Sequence, residues 1–276
     1  LFPEEDPHGD KHTQLDWMRH CSNNVIFMVD MEQSTQPAHI DSSNWEMAIS
    51  NAKRSNHYFH LTCQMRMQIS EADRYMSLIR AIFDDKPLSD NDVPHFGDYD
   101  FRIFTNLKEM QAALSRREKE YGLCRMLAGY DWPWVSKGNY VDDAPYDIEL
   151  DEMRFRWQRN PVSWMHSAVT SDEVGMIHSV QGYDLNYAGV IIGPNVGLDT
   201  SGKYCVNRQQ YCDGRGKANN YLLGKKMTDE QLRRNLANIY RVLLTRGIRG
   251  TYVYAEASGL AERFHQIQEI LNARHR

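Results

Sequence analysis

Near the C-terminus the chain reads Ala-Asn-Ile-Tyr-Arg-Val-Leu-Leu-Thr-Arg-Gly-Ile-Arg-Gly-Thr-Tyr-Val-Tyr over residues 237–254. Ile239, Tyr240, Leu243 and Leu244 keep the spacing of one helical face, Gly247 reads as a stop, and Thr251–Ala255 reads as a buried strand. Upstream, Thr228 and Gln231 form a capping box that opens the same helix, with Leu232 and Leu236 extending its apolar face. Helix and strand together hold Arg246 at a fixed point between two rigid elements. An arginine so held either balances the helix C-terminal dipole or is aimed at a phosphate.

Composition enters through what it excludes. With 276 residues, 41% hydrophobic and 25% charged, the chain suits one large or two unequal α/β units of an ordinary globular protein. No run approaches the ~18 apolar residues of a membrane span, and the N-terminus lacks the basic-then-apolar order of a signal peptide. A cytoplasmic protein with no membrane partner is therefore expected. Five scattered cysteines argue against a disulfide framework, and the spacing of Cys205 and Cys212 is too wide for a zinc knuckle, so no metal site is expected. A formal net charge of −5 confines any nucleic-acid contact to a local basic patch. The opening Leu1, set in a loop-like segment, suggests a piece of a longer protein.

Taken in order, apolar runs alternate with helical periods. A short helix is read around Leu15–Met18. Val25–Val29 has the unbroken pattern of a strand buried on both faces, delivering Asp30-Met31-Glu32-Gln33-Ser34 to a C-terminal sheet edge, where open α/β sheets hold ligands. His57–Thr62 reads as a second strand. A helix over Glu71–Phe83, capped by Ser70, turns Ala72, Tyr75, Met76, Ile79, Ile82 and Phe83 to one side. Phe101–Phe104, a helix capped by Thr105, and Cys124–Ala128 make a strand–helix–strand unit, the connection that builds parallel sheets. Glu173–His178 and Tyr187–Ile192 add strands, residues 195–227 read as one long loop, and Ser258–Asn272 reads as a closing helix. Tyr146–Glu152 alternates like an edge strand. Its Asp147, Glu149 and Asp151 are assigned to the solvent face and not to a metal, because no basic or histidine partner completes a nuclease-like cluster.

The order of these segments resembles superfamily 1 helicases from their third motif onward, in particular the Schlafen-like (group 3) DNA/RNA helicase-domain family of bacterial ATPases. Met28–Ser34 is similar to the third motif and Leu61–Arg66 to the fourth. Ala128–Trp134 resembles the family's glycine-tryptophan turn, Ile177–Asp184 the fifth motif, and Tyr240–Gly247 the sixth. Two positions depart from the helicase pattern, with Gln181 where lysine is common and Asp184 where glutamate is common. No GxxxxGK[ST] phosphate loop and no DExx carboxylate pair occurs in the chain.

The resemblance implies an α/β, RecA-like fold with a mostly parallel sheet covered by helices on both faces. Residues 1–55 become the remnant of a first RecA-like domain and residues 56–276 the second. It implies that Arg246 and Arg66 act as arginine fingers and that Gln33 senses the γ-phosphate. Gly182, Asp184 and Gln181 become nucleotide-binding, with a ribose contact from Asp184. His178, Arg215 and Lys217, the last two in the basic 203–226 loop, become nucleic-acid contacts, while Trp132 and Trp134 are assigned to packing around Pro133. ATP and Mg2+ are implied cofactors of the longer protein, none held by this segment alone. The implied partners are an N-terminal RecA-like domain and DNA or RNA. The reading is an ATP-dependent helicase or translocase; the alternative is a nucleotide-dependent switch that regulates an attached effector domain without strand separation.

Overall fold

Tyr187, Gly189 and Ile191 point to one side of a strand while Ala188, Val190 and Ile192 point to the other, and both sets are buried. A strand hidden on both faces needs a covering layer above and below, and that requirement sets the architecture. The computed structural model describes residues 14–30, 42–61, 66–85, 88–139, 141, 143–159, 164–166, 171–219, 224, 226–256 and 258–274. The helices are α1 (Gln14–Cys21), α2 (Ser42–Arg54), α3 (Ala72–Ile82), α4 (Leu107–Tyr121), α5 (Ile177–Val180), α6 (Asp229–Leu244) and α7 (Ser258–Arg274). The strands are β1 (Asp100–Phe104), β2 (Cys124–Ala128), β3 (Ile148–Leu150), β4 (Met153–Trp157), β5 (Glu173–Gly175), β6 (Leu185–Ile192), β7 (Val196–Leu198), β8 (Tyr204–Val206) and β9 (Gly247–Ala255).

Seven strands form one sheet in the order β1-β9-β6-β2-β5-β4-β3, parallel throughout except for β3, which pairs antiparallel with β4 at the edge. One face carries Leu127, Ala188, Val190, Ile192 and Val253 against α3, α6 and α7. The other carries Met126, Ala128, Ile191, Tyr252 and Tyr254 against Leu107, Met110, Ala113 and Leu114 of α4. This is the expected α/β fold, a mostly parallel sheet with helices on both faces. The β1-α4-β2 unit is present, with β9 and β6 lying between its two strands.

Several elements differ from the sequence reading. Residues 25–30 are neither strand nor buried: Ile26 and Met28 are 93% and 87% exposed, and the run joins no sheet. Residues 57–61 are likewise irregular, with Phe59 and Leu61 exposed. An apolar run becomes a buried strand only where ladder partners flank it on both sides, and tertiary context decides that. Helix α2 was not expected. Helix α3 begins after Glu71, whose carboxylate accepts from the His95 N–H at 2.9 Å, so Ser70 is not its cap. Asn106 and not Thr105 caps α4, accepting from the Glu109 N–H at 3.0 Å. The strand read over Glu173–His178 stops at Gly175 and gives way to α5, and the segment read as a loop over 195–227 contains the β7–β8 hairpin.

The Asp147, Glu149 and Asp151 carboxylates do not share a solvent face. Asp147 is buried, accepting from Ser136 N–H at 2.7 Å, Ser136 Oγ at 2.6 Å and Trp157 N–H at 2.8 Å. Asp151 accepts from the Tyr254 hydroxyl at 2.7 Å, and Glu149 faces Arg154 at 3.4 Å. Among the described residues no group of three or more His, Cys, Asp or Glu side chains is arranged to hold a metal ion.

Gly247 is the first residue of β9 and not a helix stop; Thr245 caps α6. A glycine is needed there for a different reason. A Cβ at position 247 would stand 2.0 Å from the Gly250 carbonyl oxygen, where β9 bends and its register with β6 shifts between Leu185 and Tyr187. No described helix is long and apolar enough to cross a membrane.

Candidate phosphate-binding site

Helix α6 places Arg246, and four features make that placement rigid. The Thr228–Gln231 capping box closes its N-terminus, with the Gln231 N–H donating to Thr228 Oγ1 at 3.2 Å and the Thr228 N–H donating to Gln231 Oε1 at 3.0 Å. Leu232, Leu236, Ile239, Tyr240, Leu243 and Leu244 are buried along its apolar face. Midway, the Tyr240 hydroxyl donates to Asp131 Oδ2 at 2.9 Å and accepts from the Gly193 N–H at 3.1 Å. Past the helix end, the Arg246 carbonyl accepts from the Leu185 N–H at 3.0 Å, so the residue is clamped to the start of β6 as well.

The Arg246 side chain is 1% exposed. Its Nε donates to the Val242 carbonyl at 3.3 Å and its Nη1 to the Tyr183 carbonyl at 3.1 Å. Burial, and then the positive charge of Arg66, push its proton affinity down to about 10, against which the Asp184 and Asp30 carboxylates act. A guanidinium taken out of water is costly unless an anion balances it, and the Asp184 and Asp30 carboxylates supply part of that balance. The contact of Arg246 with the Val242 carbonyl, in the last turn of α6, is one that a helix-end charge makes, and the burial adds a desolvation cost that dipole compensation alone does not require.

Arg66 and Asp184 complete the cluster. The segment from Arg66 is pinned to β9 by the Gln68 N–H donating to the Ile248 carbonyl at 2.8 Å, with Met67 and Ile69 buried on either side. Arg66 Nε donates to Asp184 Oδ1. Asp184 leaves α5 through Gln181 and Gly182; Gly182 has φ +91°, a left-handed value that glycine adopts without strain, and open space where a Cβ would stand. Gln181 is exposed. Arg246 directly precedes β9, Asp184 directly precedes β6, and Arg66 is held by the first turn of β9. The cluster therefore sits at the N-terminal edge of the parallel strands, not at the C-terminal edge anticipated for the Asp30 segment. Gln33 lies outside the described residues.

The residues assigned to nucleic acid gather around the Asp213 turn. His178 on α5 is half-exposed, with Nε2 4.0 Å from the Asp213 carboxylate. Burial pushes Asp213 up, but His178 and the Gly216 and Arg215 N–H groups outweigh it and leave that carboxyl below its ordinary range. Arg215 has its backbone in this turn and its side chain exposed. Lys217 is spent on the loop itself, donating to the Tyr211 carbonyl at 2.5 Å and the Arg208 carbonyl at 3.4 Å. Trp132 and Trp134 pack against the core as expected. The resemblance implies a ribose contact at Asp184, whereas the structure sets that carboxylate on Arg66.

Asp131 was not singled out from the sequence. It is buried, and burial pushes its carboxyl up to about 7 in spite of hydrogen bonds from Tyr240 and the Asn195 N–H. Its place between an all-buried strand and Trp-Pro-Trp was the available signal.

A mostly parallel α/β sheet covered by helices on both faces is consistent with a RecA-like fold. The family model for the Schlafen group 3 DNA/RNA helicase domain matches residues 4–257, and the chain belongs to that family. It is also similar to the uncharacterised protein YPL245W of Saccharomyces cerevisiae, 35% identical over 172 residues, which is 60% of this chain and 36% of that protein. The match thus spans about a third of the relative's length. As a yeast protein, that relative lends no support to a bacterial assignment. No solved structure matches the chain.

Proposed function

We propose that this chain is the arginine-finger half of an ATP-dependent nucleic-acid helicase or translocase. Residues 56–276 form its second RecA-like domain and residues 1–55 the end of the first, with the phosphate loop and the magnesium-binding carboxylates supplied by an N-terminal domain. The observation that carries this reading is the convergence of Arg246 and Arg66, drawn from two motif segments, at one sheet edge. Phosphoryl transfer spreads negative charge over the transferred group, and preorganised guanidinium groups stabilise that charge most where water is excluded. An arginine finger is worth about 10³ to 10⁵ in rate, or roughly 4 to 7 kcal/mol of barrier. Helix-end charge compensation gives only about 0.3 to 1 kcal/mol. Buried Arg246 and half-exposed Arg66 fit a phosphoryl group as donors; they offer no carboxylate for Mg2+, which this reading places on the other domain. The proposed setting is the cytoplasm.

The test uses the longer protein that contains these residues. Arg246→Ala is expected to leave ATP binding largely intact and to lower hydrolysis by about 10³ or more. Single-stranded DNA or RNA is expected to stimulate hydrolysis, with stimulation weakening as salt rises. Hydrolysis indifferent to nucleic acid but still lost in Arg246→Ala identifies the regulatory switch instead. Hydrolysis that survives the substitution removes the finger role.

A further inference from the structure

One short segment grips both arginines. The Tyr183 carbonyl accepts from Arg246 Nη1 at 3.1 Å, and the next residue, Asp184, accepts from Arg66 Nε through its side chain. The segment follows Gly182, whose left-handed φ turns the chain out of α5, and its backbone is pinned on both sides by the Tyr183 N–H on the Val180 carbonyl and the Leu185 N–H on the Arg246 carbonyl, each at 3.0 Å. The two guanidinium groups are close enough for the charge of Arg66 to weaken proton binding by Arg246. Like charges at such range separate unless an anion stays with them. One anion on Arg66 is the Asp184 carboxylate, and it is 48% exposed, so it can turn to water without a large desolvation change.

We infer that Asp184 is a positioning residue that keeps Arg66 beside Arg246 until a phosphate takes the carboxylate's place. The exchange makes and breaks no covalent bond: the Arg66 N–H moves its hydrogen bond from a carboxylate oxygen to a phosphoryl oxygen, and the Asp184 side chain rotates into solvent while its backbone stays in place. This inference rests on the proposed phosphate site, and it differs from a ribose contact. A ribose contact helps nucleotide binding and is blind to phosphate alone, whereas an exchangeable carboxylate competes with phosphate of any kind.

Inorganic tripolyphosphate, which carries no ribose, separates the two. It is titrated into the whole 276-residue chain, with affinity read by calorimetry and the hydrogen bond read from the Arg66 Nε–H resonance. Asp184→Asn is expected to bind tripolyphosphate about two- to fivefold more tightly, the factor that an exposed ion pair is worth. Asp184→Glu is expected to restore the original affinity, and in an Arg66→Gln background Asp184→Asn is expected to change nothing. Asp184→Ser serves as the second variant if Asp184→Asn melts early. Unchanged or weaker binding by folded Asp184→Asn overturns the positioning role and leaves the phosphate site standing. Failure of every variant, and of the parent chain, to bind tripolyphosphate overturns the exchange and with it the positioning role, whereas the two-domain phosphate site stands or falls on Arg246→Ala hydrolysis in the longer protein.

Discussion

The Tyr240 hydroxyl donates to Asp131 Oδ2 across 2.9 Å, tying the helix that ends at Arg246 to the turn that follows β2. Neither residue touches the arginine cluster, yet the bond fixes the axial position of α6. Its acceptor is a buried carboxyl raised to about 7 from an ordinary 3.8.

That shift predicts a pH dependence with a definite sign. A carboxyl whose folded value lies above its unfolded one favours folding while protonated, so its contribution is full below about pH 4 and is lost as pH rises through about 7. The three-unit shift corresponds to a few kcal/mol, of the order of 4 at most. Asp131→Asn forfeits one hydrogen bond and is expected to be less stable than the parent by about 1 kcal/mol at pH 5. By pH 8 the deficit should vanish or reverse. Denaturant unfolding at the two pH values checks it; a constant difference refutes the assignment.

For Arg246, stability and function should part. Among the described residues its hydrogen bonds go to the Val242 and Tyr183 carbonyls, and an apolar side chain of similar length removes the desolvation cost of the charge against the loss of two bonds worth about 1 kcal/mol each. Arg246→Met is therefore expected to stay within about 1 kcal/mol of the parent in chemical denaturation. A loss above about 3 kcal/mol assigns the residue to the fold instead of the site.

Asp147 should behave as structure. With three hydrogen bonds to Ser136 and Trp157, Asp147→Ala leaves buried N–H groups without acceptors and is expected to cost about 3 to 5 kcal/mol. Chelators should leave the melting temperature of the parent chain unchanged. A chelator-induced drop would restore the metal reading.

Gly247→Ala is expected to be among the most damaging single substitutions, because the added methyl meets backbone and not a yielding side chain. A destabilisation of more than about 3 kcal/mol is predicted, read as a fall in melting temperature. Tolerance of alanine would show that β9 does not bend here as described.

What the sequence made legible follows from range. The α6 capping box and β2 match the sequence reading because a Thr-x-x-Gln cap and a five-residue run apolar but for Arg125 are set by neighbours in the chain. Val25–Val29 and His57–Leu61 failed because nothing local separates an apolar run with ladder partners from one without them. The cap of α4 was one residue off because Thr105 and Asn106 are both competent and backbone geometry chose between them. Gly247 was recognised as special for the wrong cause, since close approach to Gly250 depends on a bulge that no pattern announces. In the site, Arg246 was legible from the helix and strand around it, whereas Arg66 and Asp184 were legible only as an order of motifs. The pairing of Asp184 with Arg66, and the burial of Arg246, required the topology.

The arginine cluster is also a product of long-range closure. Arg66 and Asp184 are 118 residues apart in sequence, and Arg246 and Tyr183 are 63 apart. Contacts of such separation form after the local helices and hairpins, because loop closure must come first. A partly folded or locally opened chain thus carries all its charges but has no cluster, and its capacity to engage phosphate arises only with the completed pairing of β6 and β9.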